Sequence, residues 1–200
     1  MQREALKELQ YIAHVDNVPS ICSRGLLSHR KASTLDHHSV ADPEVQDRRK
    51  GKRVPGGLLL HDYANLYITA RNPMLFTKIE DGLLAELCVV RISTAVLDLE
   101  DVVITDRNAA AFGCRFKPAS EGLADVDAEL IARTYWNDGD ALERERCWNA
   151  KFTEVLVPNR VDYRHLTGIY VGAKKARAAL RTEDVPLTIA QNSNLFFNRS

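Results

Sequence analysis

The chain lacks a charge bias: over 200 residues Lys+Arg and Asp+Glu both number 27. Any nucleic-acid, membrane or acidic partner must therefore be met by a local patch rather than by the overall field. Long apolar runs are missing too. Leu83–Val90 is among the longest and is interrupted by Glu86, which excludes a membrane span of roughly 18–20 apolar residues. Residues 1–8 carry acids and no apolar core, so the expectation is no signal peptide, no membrane partner and a cytoplasmic location. Cysteine is sparse. Cys22, Cys88, Cys114 and Cys147 stand 66, 26 and 33 residues apart, without the paired spacing of a zinc site or the density of a disulfide framework. They read as plain thiols, and no metal is expected. Ten glycines and seven prolines are too few for a collagen or a linker. With 45% hydrophobic and 27% charged residues, the chain reads as one folded domain over residues 1–200.

Several catalytic signatures are also absent. The chain has no G-x-G-x-x-G, no G-x-x-x-x-G-K-[ST], no H-E-x-x-H and no G-x-S-x-G. Rossmann oxidoreductases, P-loop enzymes, zincins and serine hydrolases are therefore poor fits.

What is present has the texture of strands punctuated by short helices. Leu9–His14, Leu66–Thr69, Leu87–Ile92, Val102–Thr105, Glu154–Val157, Gly168–Val171 and Leu187–Ala190 read as strands, with Leu66–Thr69 rich in β-branched and aromatic residues. Asp16 or Asn17 caps a helix with Pro19 in its first turn and Gly25 at its end. Asp125–Tyr135, Ala141–Trp148 and Ala173–Arg181 read as helices. Asn72-Pro73 reads as a turn, and His29–Arg53 as a polar connection. Without regular βαβ alternation, the class is α+β with a mainly antiparallel sheet.

Three features carry possible chemistry. Arg48–Arg53 holds five cations in six residues, either a solvated loop or a segment that neutralises phosphates. His61-Asp62-Tyr63 precedes a strand, as a hydrogen-bond cluster or a catalytic unit. Glu154 enters the apolar strand Val155-Leu156-Val157, at an exposed edge or inside a cleft where a carboxylate stabilises an oxocarbenium-like centre.

Taken in order, these features resemble a known family. The segments Tyr11–Ile21 with Gly25-Leu26-Leu27, Asp47-Arg48-Arg49, Leu60–Tyr63, Ala70–Leu75, Thr105–Ala109 and Thr153–Val157 are similar to successive blocks of the DarT proteins. These are toxins of toxin–antitoxin systems that ADP-ribosylate bases of single-stranded DNA with NAD. The resemblance implies an ADP-ribosyltransferase fold, a split sheet with NAD in the cleft between its halves, and no metal.

It also implies site residues. Tyr11, Ile12, Ala13 and Asn17 would line the NAD site, with Ser20, Ser28 and Arg49 close by. Glu154 would be the catalytic glutamate that orients the nicotinamide ribose. Arg49 matches an arginine associated with deprotonating the target base. A guanidinium with a pKa above about 12 suits orientation and charge stabilisation better than proton abstraction. Arg48, Lys50, Lys52 and Arg53 would contact DNA, together with Arg71, Asn72 and Met74. Arg144, Trp148 and Lys151 would complete the groove, with Trp148 as a stacking platform.

Two departures bear on the base. Tyr11 stands where many thymine-modifying members have His, and the tail is Asn194-Leu195-Phe196-Phe197 rather than Trp-Tyr-Tyr-like. These leave guanine ahead of thymine. The implied partner besides single-stranded DNA is an antitoxin that removes ADP-ribose, a DarG-like macrodomain or a NADAR-type hydrolase. Two other readings stay open from the residues alone: an ADP-ribosyltransferase acting on protein or RNA, and a non-catalytic nucleic-acid-binding module.

Overall fold

The computed structural model describes residues 1–183 and 185–199. In chain order its elements are β1 (Leu9–His14), α1 (Val18–Arg24), β2 (Leu26–Leu27), α2 (His29–Ala32), α3 (Pro43–Arg49), β3 (Tyr63–Tyr67), α4 (Pro73–Glu80) and β4 (Leu87–Ile92). There follow β5 (Val103–Thr105), β6 (Phe116–Pro118), α5 (Ala119–Gly122), α6 (Ala128–Ala132), α7 (Ala141–Lys151), β7 (Glu154–Pro158), β8 (Arg160–Val161), β9 (Leu166–Val171), α8 (Lys174–Thr182) and β10 (Ile189–Gln191). Among the described residues no helix is long and apolar enough to cross a membrane.

Eight strands form one sheet in the order β10-β9-β4-β1-β3-β7-β5-β6, and β2 and β8 pair separately. All pairings are antiparallel except β10 with β9. The fold is therefore α+β, as expected. Its decisive feature lies at the centre. β1 and β4 share six register pairs and β3 and β7 share five, yet β1 and β3 meet at one pair only, Gln10 opposite Tyr67. Two well-bonded half-sheets thus touch at one point and splay apart. Backbone groups beyond a fork have no ladder partner, so a fork provides polar edges for a ligand.

Core packing holds each half in place. Leu9, Ala13, Leu66, Val90, Val155 and Ile169 belong to the larger cluster of buried side chains. On the other side, Ile12, Tyr67, Leu75 and Val89 pack with Leu195 and Phe196. The tail that was read as a base-specificity signal thus inserts into this second core. Phe196 is fully buried there.

The local grammar explains most elements. α1 has Pro19 in its first turn and ends at Gly25, which has φ +82°. A Cβ at Gly25 would collide with the Val161 carbonyl oxygen, so only glycine can make this turn.

Several expectations need correction. Asn72-Pro73 opens α4: the Asn72 side chain accepts a hydrogen bond from the Leu75 N–H and Pro73 occupies the first helical turn, where its missing N–H costs nothing. The central strand runs over Tyr63–Tyr67 rather than Leu66–Thr69, because it follows the partner β7. The long helix expected over Asp125–Tyr135 shrinks to Ala128–Ala132, with Asp127 capping it and Arg133 already extended. The polar stretch His29–Arg53 is no single loop, since it contains α2 and α3, the latter capped by Asp42.

Candidate active site

The fork opens into a cleft of about 550 Å³, within the size range of nucleotide-sized ligand sites. Its walls come from both half-sheets and from segments laid across them. Tyr11, Ile12 and Ala13 of β1 line one side, and Asn65 and Tyr67 of β3 with Glu154 of β7 line the other. Residues 37–42 and α3 form a third wall, while Met74 and Trp148 stand at the mouth formed by α4 and α7.

Glu154 is fully buried at the start of β7, and Arg49, 3% exposed, comes to it from the last turn of α3. One guanidinium nitrogen, Nη1, lies 3.1 Å from both carboxylate oxygens. Asn65 donates its Nδ2–H to Oε2 at 2.6 Å, and the Ala109 backbone N–H donates to Oε1 at 3.3 Å. The Glu154 N–H donates in turn to Thr105 Oγ1 at 3.1 Å, and that hydroxyl donates to the Arg107 carbonyl at 2.6 Å. A buried carboxylate is tolerable only with such compensation. The result is a negative charge fixed in rotamer and position at the fork. Arg49 Nη2 is buried and has no hydrogen-bond partner, and neither has Gln46 Oε1 one turn earlier. An unpartnered buried guanidinium N–H beside a cleft is a ready donor for an acceptor on a ligand.

Burial opposes the charged forms of two tyrosines and two histidines around this centre. Burial pushes Tyr11 up, with Cys88 adding to it, and pushes Tyr67 up further, with the Glu154 charge adding to it. The His29 and His61 rings lie against each other at a tilt of 38°, with centroids 4.2 Å apart. Burial holds both below the ordinary imidazole value, reinforced at His29 by His61 and at His61 by the Arg49 charge.

Of the expected nucleotide-binding set, Tyr11, Ile12, Ala13, Asn17 and Arg49 line the cleft, whereas Ser20 and Ser28 do not. Ser20 is exposed on α1, and Ser28 is buried with its N–H donating to the Asn159 carbonyl. Asn17 makes a two-way clamp, with Nδ2 donating to the His38 carbonyl at 2.7 Å and Oδ1 accepting from the His38 N–H at 2.9 Å.

The expected DNA contacts divide into two groups. Arg48, Met74 and Trp148 line the mouth, and Trp148 is 46% exposed while its ring packs edge-on against Trp136 and Phe152. Lys50, Arg53 and Arg144 are exposed on the surrounding surface, although Arg53 and Arg144 each donate to a nearby carbonyl, Gly57 and Gly139. The rest are engaged inside the fold. Lys52 Nζ donates to the Ala111 carbonyl, and Asn72 is the buried cap of α4. Arg71 donates to the Asn194 carbonyl and lies 4.2 Å above the Phe197 ring. Lys151 is 1% exposed and donates to the Ile131 and Arg133 carbonyls, both at 2.5 Å. Its ammonium ties α7 to the end of α6 rather than facing a ligand. Burial lowers its pKa to about 8.

Sequence reasoning missed Asn65, Ala109 and Thr105. Asn65 had left a trace, since asparagine disfavours the middle of an apolar strand unless its amide has a task there. Thr105 and Ala109 stand in one of the motif blocks but carry no role there, since any residue but proline would supply the Ala109 N–H.

Comparison with known proteins agrees with this geometry. A family model described as "ssDNA thymidine ADP-ribosyltransferase, DarT" matches residues 10–196. A DNA ADP-ribosyl transferase of Thermus sp. (strain 2.9) is 32% identical, the match covering 69% of this chain and 70% of that one. A DNA ADP-ribosyl transferase-DNA ADP-ribosyl glycohydrolase fusion protein of Thermosipho africanus is 31% identical over 90% of this chain, which spans 47% of that protein's length. Among solved structures, Thermosipho africanus DarTG in complex with ADP-ribose superposes with a TM-score of 0.84 at 29% identity, covering 96% of this chain and 51% of that one. Thermus sp. 2.9 DarT in complex with ADP-ribosylated ssDNA gives a TM-score of 0.79 at 25% identity, covering 96% of each chain. The fork, the buried carboxylate and these matches together assign the chain to the DarT family of DNA ADP-ribosyltransferases.

Proposed function

We propose that this protein transfers ADP-ribose from NAD to a base of single-stranded DNA, with Glu154 and Arg49 as its catalytic pair. The observation that carries the reading is a buried, fully compensated carboxylate at the fork of a split sheet, with an unpartnered Arg49 N–H beside it. NAD enters along β1, bounded by Tyr11, Ile12, Ala13 and Asn17. Glu154 accepts a hydrogen bond from a ribose hydroxyl and faces the anomeric carbon. The bond from that carbon to the nicotinamide nitrogen breaks, its electron pair leaves on neutral nicotinamide, and positive charge develops on the sugar. A fixed carboxylate stabilises that charge as it forms, without reorganising. A base nitrogen then forms the new bond and loses its proton to solvent or a neutral acceptor. Arg49, held cationic against Glu154, uses Nη2 to orient a phosphate or a base carbonyl.

Arg48 at the mouth and Lys50 and Arg53 on the surface around it supply phosphate contacts, Met74 lines the mouth, and Trp148 offers a base-stacking edge. An unpaired base reaches the cleft without the cost of leaving a duplex. Of the two bases we favour guanine, on Tyr11 and the buried tail, while the family model carries the word thymidine. We further propose that the protein is a toxin acting in the cytoplasm and is balanced by a glycohydrolase that removes the modification. The fused architecture named for the Thermosipho relative supports that pairing.

The test uses oligonucleotides lacking either guanine or thymine, incubated with the protein and NAD and read by mass spectrometry. A gain of one ADP-ribose on the guanine-containing set alone is expected. A gain only on the thymine-containing set overturns the base assignment, and a gain on protein or RNA but on no DNA overturns the substrate.

A further inference from the structure

At the edge of the cleft, where His38 belongs to its wall but not to the proposed catalytic pair, His14, Asp16 and His38 converge so that one ligand atom from each lies within 4.8 Å of the others. Asp16 Oδ2 sits 3.5 Å from His14 Nδ1 and 3.6 Å from His38 Nε2. Two ligand atoms on a tetrahedral zinc are about 3.4 Å apart when metal–ligand bonds are 2.0–2.1 Å. Both Asp16 separations therefore already match a bridging ion.

A second feature points the same way. His14 Nε2 lies 3.3 Å from the Glu86 carboxylate. This fixes the tautomer with a proton on Nε2 and a lone pair on Nδ1, facing Asp16. A carboxylate behind a histidine is the usual orienting partner of a metal-bound imidazole. The Asp16 N–H now donates to that lone pair at 3.2 Å, a weak bond that an ion would replace. His38 is held in place by the Asn17 clamp on its backbone, and its 63% exposed ring can turn from its stack on His14, with centroids 4.4 Å apart, into a coordinating position.

We propose that His14, Asp16 and His38 form a binding site for a borderline divalent transition metal, zinc or its analogues, with Glu86 as the orienting carboxylate. Two imidazoles and one carboxylate disfavour magnesium and calcium, which prefer all-oxygen shells. The ion's role would be mechanical. It would tie residues 37–42, a wall of the cleft, to the start of α1, leaving a fourth position for water. This site is not legible in the sequence, because a His-x-Asp pair completed by His38, 22 residues after Asp16, fits no compact ligand spacing.

Titration calorimetry of the full chain with ZnCl2, and Co2+ absorption in the visible as an optical probe, test the site directly. One ion per chain is expected. His38→Ala and Asp16→Asn should abolish binding, and Glu86→Gln should weaken it about 10–100-fold. Cys22→Ser and Cys114→Ser, which remove the partly exposed thiols, should leave it unchanged. Zinc should slow amide exchange over residues 37–42 in the wild type but not in His38→Ala. Binding that survives His38→Ala, that is lost with either thiol, or that fails to saturate would overturn the proposal. His38 is a surface residue, so its variant should fold, and circular dichroism checks this.

Discussion

At the scale of single residues, the Arg49–Glu154 charge pair stands out because it is out of water. Exposed ion pairs contribute about 0–1 kcal/mol, whereas breaking a buried pair leaves the survivor uncompensated at a cost of about 3–5 kcal/mol. Arg49→Met should therefore lower stability by about that amount in urea denaturation, because Glu154 would keep only Asn65 and the Ala109 N–H. A loss under 1 kcal/mol would mean that water reaches the carboxylate. Lys151 makes an independent prediction. Its pKa of about 8 in the folded state lies below the ordinary lysine value near 10.4, so between these pH values the unfolded chain binds more protons than the native one. Stability must then rise with pH through that window, by about 3 kcal/mol relative to Lys151→Met. A flat difference between the two proteins from pH 8 to 10.5 would contradict the buried ammonium. Glu154 was legible as an acid entering an apolar strand, and Arg49 as part of a motif block. What the residues alone could not reveal was their meeting across 105 positions.

At the scale of elements, capping chemistry decides which residues are available to a ligand. Asn72 was expected at the DNA surface, but its side chain closes the first turn of α4. Asn72→Ala should cost about 1–2 kcal/mol and leave the apparent KM for DNA unchanged for the folded fraction, with Asn72→Ser or Asn72→Asp recovering most of the stability. A large rise in KM with an unaltered melting midpoint would return Asn72 to the DNA surface. Strand β4 was readable because an apolar β-branched run such as Leu87–Ile92 admits few alternatives, and α7 because its Glu and Arg residues favour a helix. Failures cluster where one side chain overrules propensity. Asp127 restarts the helix inside Asp125–Tyr135, and Pro73 begins a helix where proline more often suggests a turn. Both need knowledge of which backbone groups lack partners, and that is tertiary information.

At the scale of the whole molecule, a neutral chain concentrates function at a discontinuity in its sheet. The α+β class could be read from strand texture, but the fork could not, because it depends on β1 and β3 meeting at Gln10 and Tyr67 alone. In the proposed function, cations around the mouth make the attraction to DNA local. Each phosphate contact to a single strand contributes roughly −0.7 to the slope of log affinity against log salt. Arg48→Gln and Lys50→Gln should each flatten that slope by about this amount, while Lys151→Met should not change it. An unchanged slope in both surface variants would place the strand elsewhere on the molecule.

The central claim is that the carboxylate at the fork drives transfer to single-stranded DNA. Its most direct test is mass spectrometry of a single-stranded oligonucleotide incubated with NAD and either the wild type or Glu154→Gln, with folding of the variant checked by circular dichroism. One added ADP-ribose is expected with the wild type and a rate lower by about 10²–10³-fold or more with the variant, the scale of losing one preorganised electrostatic group. Modification of the base by folded Glu154→Gln at the wild-type rate would contradict that claim.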